Sequence, residues 1–245
     1  LGSPLWFFET VPSTNDVLKQ RAEQGAPEGS VVMAAAQTGG RGRLGRSWLS
    51  PRGGIWATAV LKPKIPIDRV FMITMAGSIA IARAIRKEYD LGALIKWPND
   101  IYIGDSKVAG LLLELSAEAD VIHYAVLGMG VDVNISPVEL SQVSTHVTSI
   151  SAELGHDVDR APLLARILRE FEGRYLLLEA GEYEAIVREW KSLSSIMERR
   201  VRINTLKSSF EGEAIDIDEF GALIIRKDNG RIERVIAGDC IQQEP

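Results

Sequence analysis

The chain has 245 residues, of which 46% are hydrophobic and 25% are charged, a composition typical of a globular protein with one large domain and a small one. Its formal net charge of -5 argues against a nucleic-acid-binding surface over the whole protein, because such domains are usually basic. No apolar run reaches the length of about 18 residues that a membrane span needs. The single cysteine, Cys240, excludes an intramolecular disulfide and suits a reducing cytoplasm.

The first half of the chain predicts strands and helices in alternation. Residues 5–10 form a short apolar strand, and Ser13 with Asp16 predicts a capping box that opens a helix reaching about Gln24. Apolar residues at helical spacing predict one long helix over residues 70–89. Short apolar runs between turn signals predict strands over residues 30–36, 55–61, 93–97, 100–103 and 108–115.

The second half predicts helices and then a small β domain. An apolar strand over residues 121–134 contains Gly128 and Gly130, which indicate a bulge or a close approach of ligand to backbone. A polar loop is expected over residues 137–145, and helices over 147–154, 162–178 and 183–193. Short strands follow at residues 201–203, 210–217, 222–226 and 232–237, with a hairpin at residues 228–230. We therefore predict a first domain over residues 1–194 and a second over 195–245.

The segment 37–48, QTGGRGRLGRSW, is called the glycine–arginine loop here. It places Arg41, Arg43 and Arg46 among four glycines. Glycines let backbone N–H groups approach an anion closely, and guanidinium groups add charge and paired donors suited to carboxylate or phosphate. The loop is thus expected to order around an anionic ligand, although a solvated basic turn or a nucleic-acid contact would use the same residues.

Three further polar segments are candidates for a site. KWPND, residues 96–100, holds a lysine, an asparagine and an aspartate in a turn that Pro98 stiffens between two apolar strands. Lys107 begins the next strand, and residues 13–15 form the sequence Ser-Thr-Asn. Each segment taken alone also has a structural explanation: a strand turn with a surface ion pair, a solvated lysine and a helix cap.

In this order and spacing the segments resemble the biotin–protein ligases. GRGRLGR is followed about fifty residues later by KWPND, then by KVAG from Lys107 and GMGVDVN from Gly128. The resemblance covers essentially the whole chain. It implies an α/β fold whose catalytic domain has a mixed sheet like that of class II aminoacyl-tRNA synthetases, followed by a small SH3-like β domain.

The resemblance also implies a two-step reaction. ATP activates biotin to biotinyl-5′-AMP, and a lysine of a biotin carboxyl carrier protein then accepts the biotinyl group. Arg41, Arg43 and Lys107 are the expected cations of the first step, and Asp100 is expected to orient or deprotonate the lysine in the second. Mg²⁺ is expected on the ATP phosphates, and no metal site built by protein side chains is expected.

Two sets of binding residues follow from the resemblance. Those expected to bind biotin are Ser13, Thr14, Asn15, Gln37, Arg41, Gly42, Arg43, Lys107, Gly110, Gly128 and Gly130. Those expected to bind ATP or the adenylate are Gly40, Arg41, Gly42, Arg43, Trp48, Asn99, Lys107 and Asn134. Trp48 could cover adenine or the biotin tail, or simply anchor the loop.

Several further expectations follow. Members of the family that also act as repressors carry a DNA-binding domain ahead of the Ser-Thr-Asn segment, whereas only twelve residues precede Ser13, so no DNA binding by that route is expected. A cytoplasmic homodimer is a further expectation. A lipoate or octanoate ligase or transferase of the same fold is the alternative function, although the GRGRLGR loop argues against it.

Overall fold

A computed structural model describes residues 1–142, 146–205 and 208–242 and contains two β-sheets. The strands are β1 (Leu5–Val11), β2 (Val31–Gln37), β3 (Ile55–Leu61), β4 (Ala93–Lys96), β5 (Asp100–Ile103), β6 (Ser106–Glu118), β7 (Val121–Val131), β8 (Arg200–Asn204), β9 (Ser209–Ile217), β10 (Leu223–Arg226), β11 (Ile232–Val235) and β12 (Asp239–Gln242). The α-helices are α1 (Thr14–Glu23), α2 (Phe71–Tyr89), α3 (Pro137–Leu140), α4 (Ile150–Leu154), α5 (Arg160–Glu179) and α6 (Tyr183–Ser192).

The first seven strands form one mixed sheet in the order β1-β2-β3-β7-β6-β5-β4. Only β1 and β2 are parallel, and every other neighbouring pair is antiparallel. The KWPND segment makes the turn between β4 and β5, as its proline predicted. This mixed sheet confirms the predicted fold class.

Helices cover both faces of this sheet. Helix α2 is apolar around most of its circumference, and such a helix has to be buried on all sides. It packs on the sheet and is covered by α5 and α6. Helix α1 lies on the opposite face, where Leu18 and Ala22 pack with Val32, Val60 and Val126.

Strands β8 to β12 form a second, antiparallel sheet in the order β11-β10-β9-β8-β12. Its buried side chains belong to the same hydrophobic cluster as those of α2 and the first sheet. The Trp97 indole N–H also donates to the Gly221 carbonyl at 3.2 Å. The two sheets therefore share a continuous apolar core. Strand β12 was not predicted, because within its four residues only Cys240 is buried.

Two local predictions are wrong: the capping box at the start of α1 and the bulge that was one of two explanations for the glycines of β7. Ser13 occupies the N-cap of α1, but its side chain makes no capping hydrogen bond, so the predicted capping box does not form. Strand β7 runs without a break through Gly128 and Gly130, both of which stay in register with β3 and β6. The glycines therefore do not mark a bulge, and the alternative, a close approach of ligand to the backbone, stays a prediction.

Two helix starts and one additional short helix also differ from the predictions. Helix α4 begins at Ile150, three residues later than predicted, because the Ser149 hydroxyl accepts a hydrogen bond from the Ala152 N–H and fixes the N-cap there. Asp159 caps α5 in the same way, so that helix begins at Arg160. The short helix α3 lies within the predicted polar loop, of which residues 143–145 fall outside the described part. No described helix combines the length and hydrophobicity that crossing a bilayer requires.

Two helical glycines offer a matched test of the packing of α2. A Cβ at Gly77 would lie 2.6 Å from Leu111 Cδ2 and 2.9 Å from Leu127 Cδ2, whereas a Cβ at Gly173 in α5 has no neighbour within 4 Å. We expect Gly77→Ala to lower the free energy of unfolding by about 1–3 kcal/mol through overpacking. Gly173→Ala should raise it by about 0.5–1 kcal/mol through helix propensity. Urea unfolding measures both, and stabilisation by both substitutions would contradict this close packing.

Candidate functional site

The four polar segments that the sequence singled out meet at one cavity of about 850 Å³. This volume lies within the range of about 300–1,000 Å³ that is usual for small-molecule sites. The start of α1, the glycine–arginine loop, the KWPND turn and β12 surround it, and β6 and β7 form its floor. The predicted site residues on its wall are Ser13, Thr14, Asn15, Gln37, Arg41, Gly42, Arg43, Trp48, Asn99, Asp100, Lys107, Gly110, Gly128 and Gly130.

Two residues predicted to bind ATP lie off the cavity wall. The Asn134 carboxamide donates to the Val158 carbonyl at 2.8 Å and accepts from the Val158 N–H at 3.0 Å, so it ties the end of β7 to the start of α5. Gly40 is a buried residue of the loop itself, and a Cβ there would lie 2.4 Å from the Trp48 carbonyl oxygen. Both residues therefore have structural roles here, and their contact with ATP stays a prediction.

Hydrogen bonds of its own backbone fold the glycine–arginine loop back on itself. The Gly42 N–H donates to the Arg46 carbonyl at 2.7 Å, and the Trp48 N–H donates to the Gly40 carbonyl at 2.9 Å. Between these bonds, residues 43–45 make a single 3₁₀ turn in which Leu44 has a positive φ of 57°. The turn directs Arg41 and Arg43 to different parts of the cavity.

Two of the three loop arginines form ion pairs with carboxylates. Arg41 donates to both oxygens of Asp16, at 2.7 and 2.5 Å, and this hydrogen bonding holds the pKa of Asp16 below its usual value. Arg46 pairs with Asp239 of β12. Within the described residues Arg43 makes no ion pair: it donates to Asn99 Oδ1 at 3.1 Å and to the Gly238 carbonyl at 3.3 Å. Burial lowers the pKa of Arg43, so its guanidinium is desolvated and directed toward neutral acceptors.

Lys107 and Asp100 form the charged pair at the centre of the wall. Lys107 Nζ lies 2.6 Å from Asp100 Oδ1 and 4.8 Å from the centre of the Trp48 ring. The Trp48 indole covers two strand glycines, since a Cβ would lie 2.9 Å from its ring at Gly110 and 2.8 Å from Nε1 at Gly130. These glycines thus leave room for an indole, and their contact with biotin stays a prediction.

A second group of polar residues lies at the start of α1. Gln37 Oε1 accepts hydrogen bonds from the Thr14 N–H at 2.8 Å and from its hydroxyl at 3.0 Å. Asn15 Nδ2 donates to Glu114 Oε2 at 2.6 Å, and Gly128 leaves the room that the Asn15 carboxamide needs. Burial raises the pKa of Glu114, but hydrogen bonds from Lys19 and Asn15 outweigh it and keep the pKa below its usual value.

Asp132 also lines the cavity, and the sequence patterns did not identify it. Its side chain is buried, and Oδ1 has no hydrogen-bond partner in the described part of the chain. Burial raises the pKa of Asp132 to about 8, and the charge of Lys107 offsets only part of that rise. The available sequence signal was the single carboxylate between two valines in GMGVDVN. Apolar neighbours indicate that this strand end is buried, and the carboxylate is then buried with it. Glu114, Asp239 and Cys240 were missed as well.

These features define an α/β protein with one large cavity, in which cations, hydroxyls and amides converge beneath an arginine-bearing loop. The family model for the biotin/lipoate A/B protein ligase family matches residues 7–132, and that for the biotin protein ligase C terminal domain matches residues 196–241. The chain belongs to the biotin/lipoate A/B protein ligase family.

Individual relatives cover nearly the whole chain. It is 33% identical to the bifunctional ligase/repressor BirA of Bacillus subtilis over 98% of this chain and 74% of that protein. It is 29% identical to the biotin–[acetyl-CoA-carboxylase] ligase of Mycobacterium tuberculosis over 94% of this chain and 85% of that one. The structure superposes on the Aquifex aeolicus biotin protein ligase in complex with biotin and ATP with a TM-score of 0.85 at 25% identity, covering 98% and 99% of the two chains.

Asp132 gives this site a pH-dependent effect on stability. In the unfolded chain the carboxyl loses its proton near its usual pKa of about 3.9, whereas the folded protein retains it up to about pH 8. The unfolded state therefore binds fewer protons in this window, and the free energy of unfolding falls by up to about 1.4 kcal/mol per pH unit as the pH rises. Asp132→Asn should lack this loss.

Urea unfolding of the parent and of Asp132→Asn at several pH values between about 4 and 9 tests this expectation. The advantage of the variant over the parent should grow with pH and level off above about pH 8. A difference that stays constant over this range would show that Asp132 is ionised in the folded protein.

Proposed function

We propose that the chain is a biotin protein ligase that joins biotin to AMP and then transfers the biotinyl group to a lysine of a carrier protein. The observation that carries the proposal is the convergence of Arg43 and Lys107 on a cavity whose other end is lined by hydroxyl and amide groups. Biotin has matching ends, a carboxylate and a neutral ureido ring. Membership of the ligase family and the biotin and ATP bound by the Aquifex relative support the same assignment.

The ureido end of biotin requires a few directed hydrogen bonds in an otherwise apolar pocket. Ser13, Thr14, Asn15 and Gln37 supply such groups on one side of the cavity. The floor between them and Lys107 is formed by β6 and β7, where Leu112 lies in register with Gly128 on the face that carries Asn15. We place the ureido ring beside α1 and the carboxylate near Lys107.

In the first step the biotin carboxylate attacks the α-phosphorus of ATP, and the bond to pyrophosphate breaks. Both reactants are anions, so fixed cations at the point of contact lower the barrier. Arg43 and Lys107 are placed for this, and Arg43 needs no protein carboxylate to release it. Arg41 can join them only by leaving Asp16, an exchange that the phosphates of ATP favour because they carry more charge than a carboxylate.

In the second step the acceptor amine attacks the carbonyl carbon of the adenylate, and the bond to AMP breaks. The amine has to lose a proton. We propose that Asp100, a carboxylate on the cavity wall, accepts this proton or orients the amine. Lys107 Nζ lies 2.6 Å from Asp100 Oδ1. Binding of the adenylate phosphate near Lys107 would free Asp100 for the incoming lysine.

ATP brings Mg²⁺ with it in our proposal, and the ion neutralises phosphate charge. The described residues contain no group of three or more His, Cys, Asp or Glu side chains that could hold a metal ion. We propose that phosphate oxygens and water chiefly hold this ion. We further propose that residues 1–194 bind both substrates, that residues 195–245 close the cavity through β12, and that the acceptor is a biotin carboxyl carrier protein, in keeping with relatives named for acetyl-CoA carboxylase.

A lipoate or octanoate ligase is the second candidate, because the matching family model covers both biotin and lipoate ligases. Pyrophosphate release measured with biotin, lipoate and octanoate in turn separates the two functions. We expect release with biotin alone, followed by labelling of a biotin carboxyl carrier domain. Equal or faster release with lipoate or octanoate would overturn the proposal.

Lys107→Ala tests the role of the central cation. We expect it to slow biotin-dependent pyrophosphate release by roughly 10²-fold or more, as for the loss of one preorganised electrostatic group. Biotin affinity should change much less, because the neutral ureido end is bound elsewhere. Lys62→Ala is the matched control, since Lys62 is exposed and lies away from the cavity. Release at the parental rate by Lys107→Ala would show that Lys107 is only a partner of Asp100.

A further inference from the structure

We propose that Thr58 is a positioning residue that orients the groups receiving the N–H side of the biotin ureido ring; this inference rests on the proposed function. Thr58 lies in the middle of β3, is fully buried and is not part of the cavity wall. Its hydroxyl lies 2.8 Å from Thr14 Oγ1 and 2.7 Å from Asn15 Oδ1, both of which belong to residues on the wall. Thr58 therefore acts on the ligand only through these two neighbours.

The orientations of the two amides around Thr58 are fixed by their other partners. Gln37 Oε1 receives the Thr14 backbone N–H, and Gln37 Nε2 donates to Ser50 Oγ at 2.9 Å. Asn15 Nδ2 faces the Glu114 carboxylate, so a flipped carboxamide would set oxygen against oxygen. The oxygen of each amide thus faces the hydroxyl cluster, and both are acceptors there.

This cluster has a deficit of donor protons: it has fewer hydroxyl protons than oxygen–oxygen contacts. Three oxygen–oxygen contacts lie within hydrogen-bond distance: Thr14 with Gln37, Thr14 with Thr58, and Thr58 with Asn15. Two hydroxyls supply only two protons for these three contacts. One pair of oxygens therefore always faces each other without a proton, which is unfavourable in a buried site.

A ligand N–H that donates from the cavity to Thr14 Oγ1 or Asn15 Oδ1 would lower the cost of this deficit, because it supplies a donor to the oxygen that the two hydroxyls leave without one. Both Thr14 and Asn15 are reached from the cavity, and a ureido ring presents N–H groups. The hydroxyl of Thr58 creates the deficit and, by bonding to Asn15 Oδ1, also holds the carboxamide in place. The cluster thus favours a ligand that donates a hydrogen bond to it. This preference depends on Thr58, whose side chain is not part of the cavity wall.

The experiment compares Thr58→Val with Thr58→Ser. Valine keeps the shape of the side chain and removes the hydroxyl, whereas serine keeps the hydroxyl and loses the methyl group. We expect Thr58→Val to raise the Kd and KM for biotin by roughly tenfold, the effect of losing one well-placed buried hydrogen bond. The KM for ATP and kcat should stay within about twofold of the parent, and Thr58→Ser should restore biotin binding to within about threefold.

Val60→Ala is the matched packing control. Val60 is buried on the same face of β3, two residues further along, and packs with Leu18 of α1. Its truncation should lower stability by leaving a cavity, with no loss of biotin affinity. If Thr58→Val does not fold, Thr58→Cys takes its place, because the thiol has a similar shape and donates only weakly.

Each outcome decides between the two levels of the proposal. A parent protein that neither binds biotin nor releases pyrophosphate with it overturns the proposed function itself. With an active parent, the inference about Thr58 fails if Thr58→Val binds biotin as tightly as the parent does. It also fails if Thr58→Ser is as weak as Thr58→Val, or if Val60→Ala loses the same biotin affinity.

Discussion

The arginines of the glycine–arginine loop join parts of the chain that are far apart in sequence. Arg41 pairs with Asp16 of α1, Arg43 bonds to Asn99 of the KWPND turn, and Arg46 pairs with Asp239 of β12. These contacts bring the start of the first sheet domain, its central turn and the second sheet around one cavity. Two contacts, from Arg43 to the Gly238 carbonyl and from Arg46 to Asp239, join the loop to the second sheet.

The strengths of these contacts differ, and the difference matters for ligand binding. The pairs of Arg41 and Arg46 are largely exposed, and such pairs contribute only about 0–1 kcal/mol each. A multiply charged ligand can therefore displace their carboxylates at little cost. Arg43 is more deeply buried and is held by two neutral acceptors, which leaves its charge available. The loop thus combines Arg43, which has no carboxylate partner among the described residues, with Arg41 and Arg46, whose carboxylate partners a ligand can displace.

Much of the architecture could be predicted because it depends on local sequence. Apolar runs gave the central strands, apolar spacing gave α2, and the proline of KWPND gave the turn between β4 and β5. The glycine content also identified the glycine–arginine loop, which borders the cavity. These features were accessible because each is determined by residues within one or two turns of the chain.

The remaining features depend on contacts between distant residues. The Ser13 side chain was expected to cap α1, yet it makes no capping hydrogen bond there, and Gly130 makes room for Trp48, more than eighty residues earlier in the chain. The role of Thr58 requires partners on α1, and nothing in the apolar strand IWATAVL marks its threonine as part of a polar cluster. Asp132 was overlooked because burial, which raises its pKa, is decided by the folded chain.

Limited trypsin digestion tests most directly the expectation that the glycine–arginine loop orders around an anionic ligand, here biotin and ATP bound together. Cleavage after Arg43 and Arg46 is compared with cleavage after Arg231, which is exposed beside the hairpin turn of the second sheet. The account predicts that biotin and ATP added together slow cleavage in the loop far more than either alone, with no change at Arg231. Equal loop cleavage with and without both ligands would contradict it.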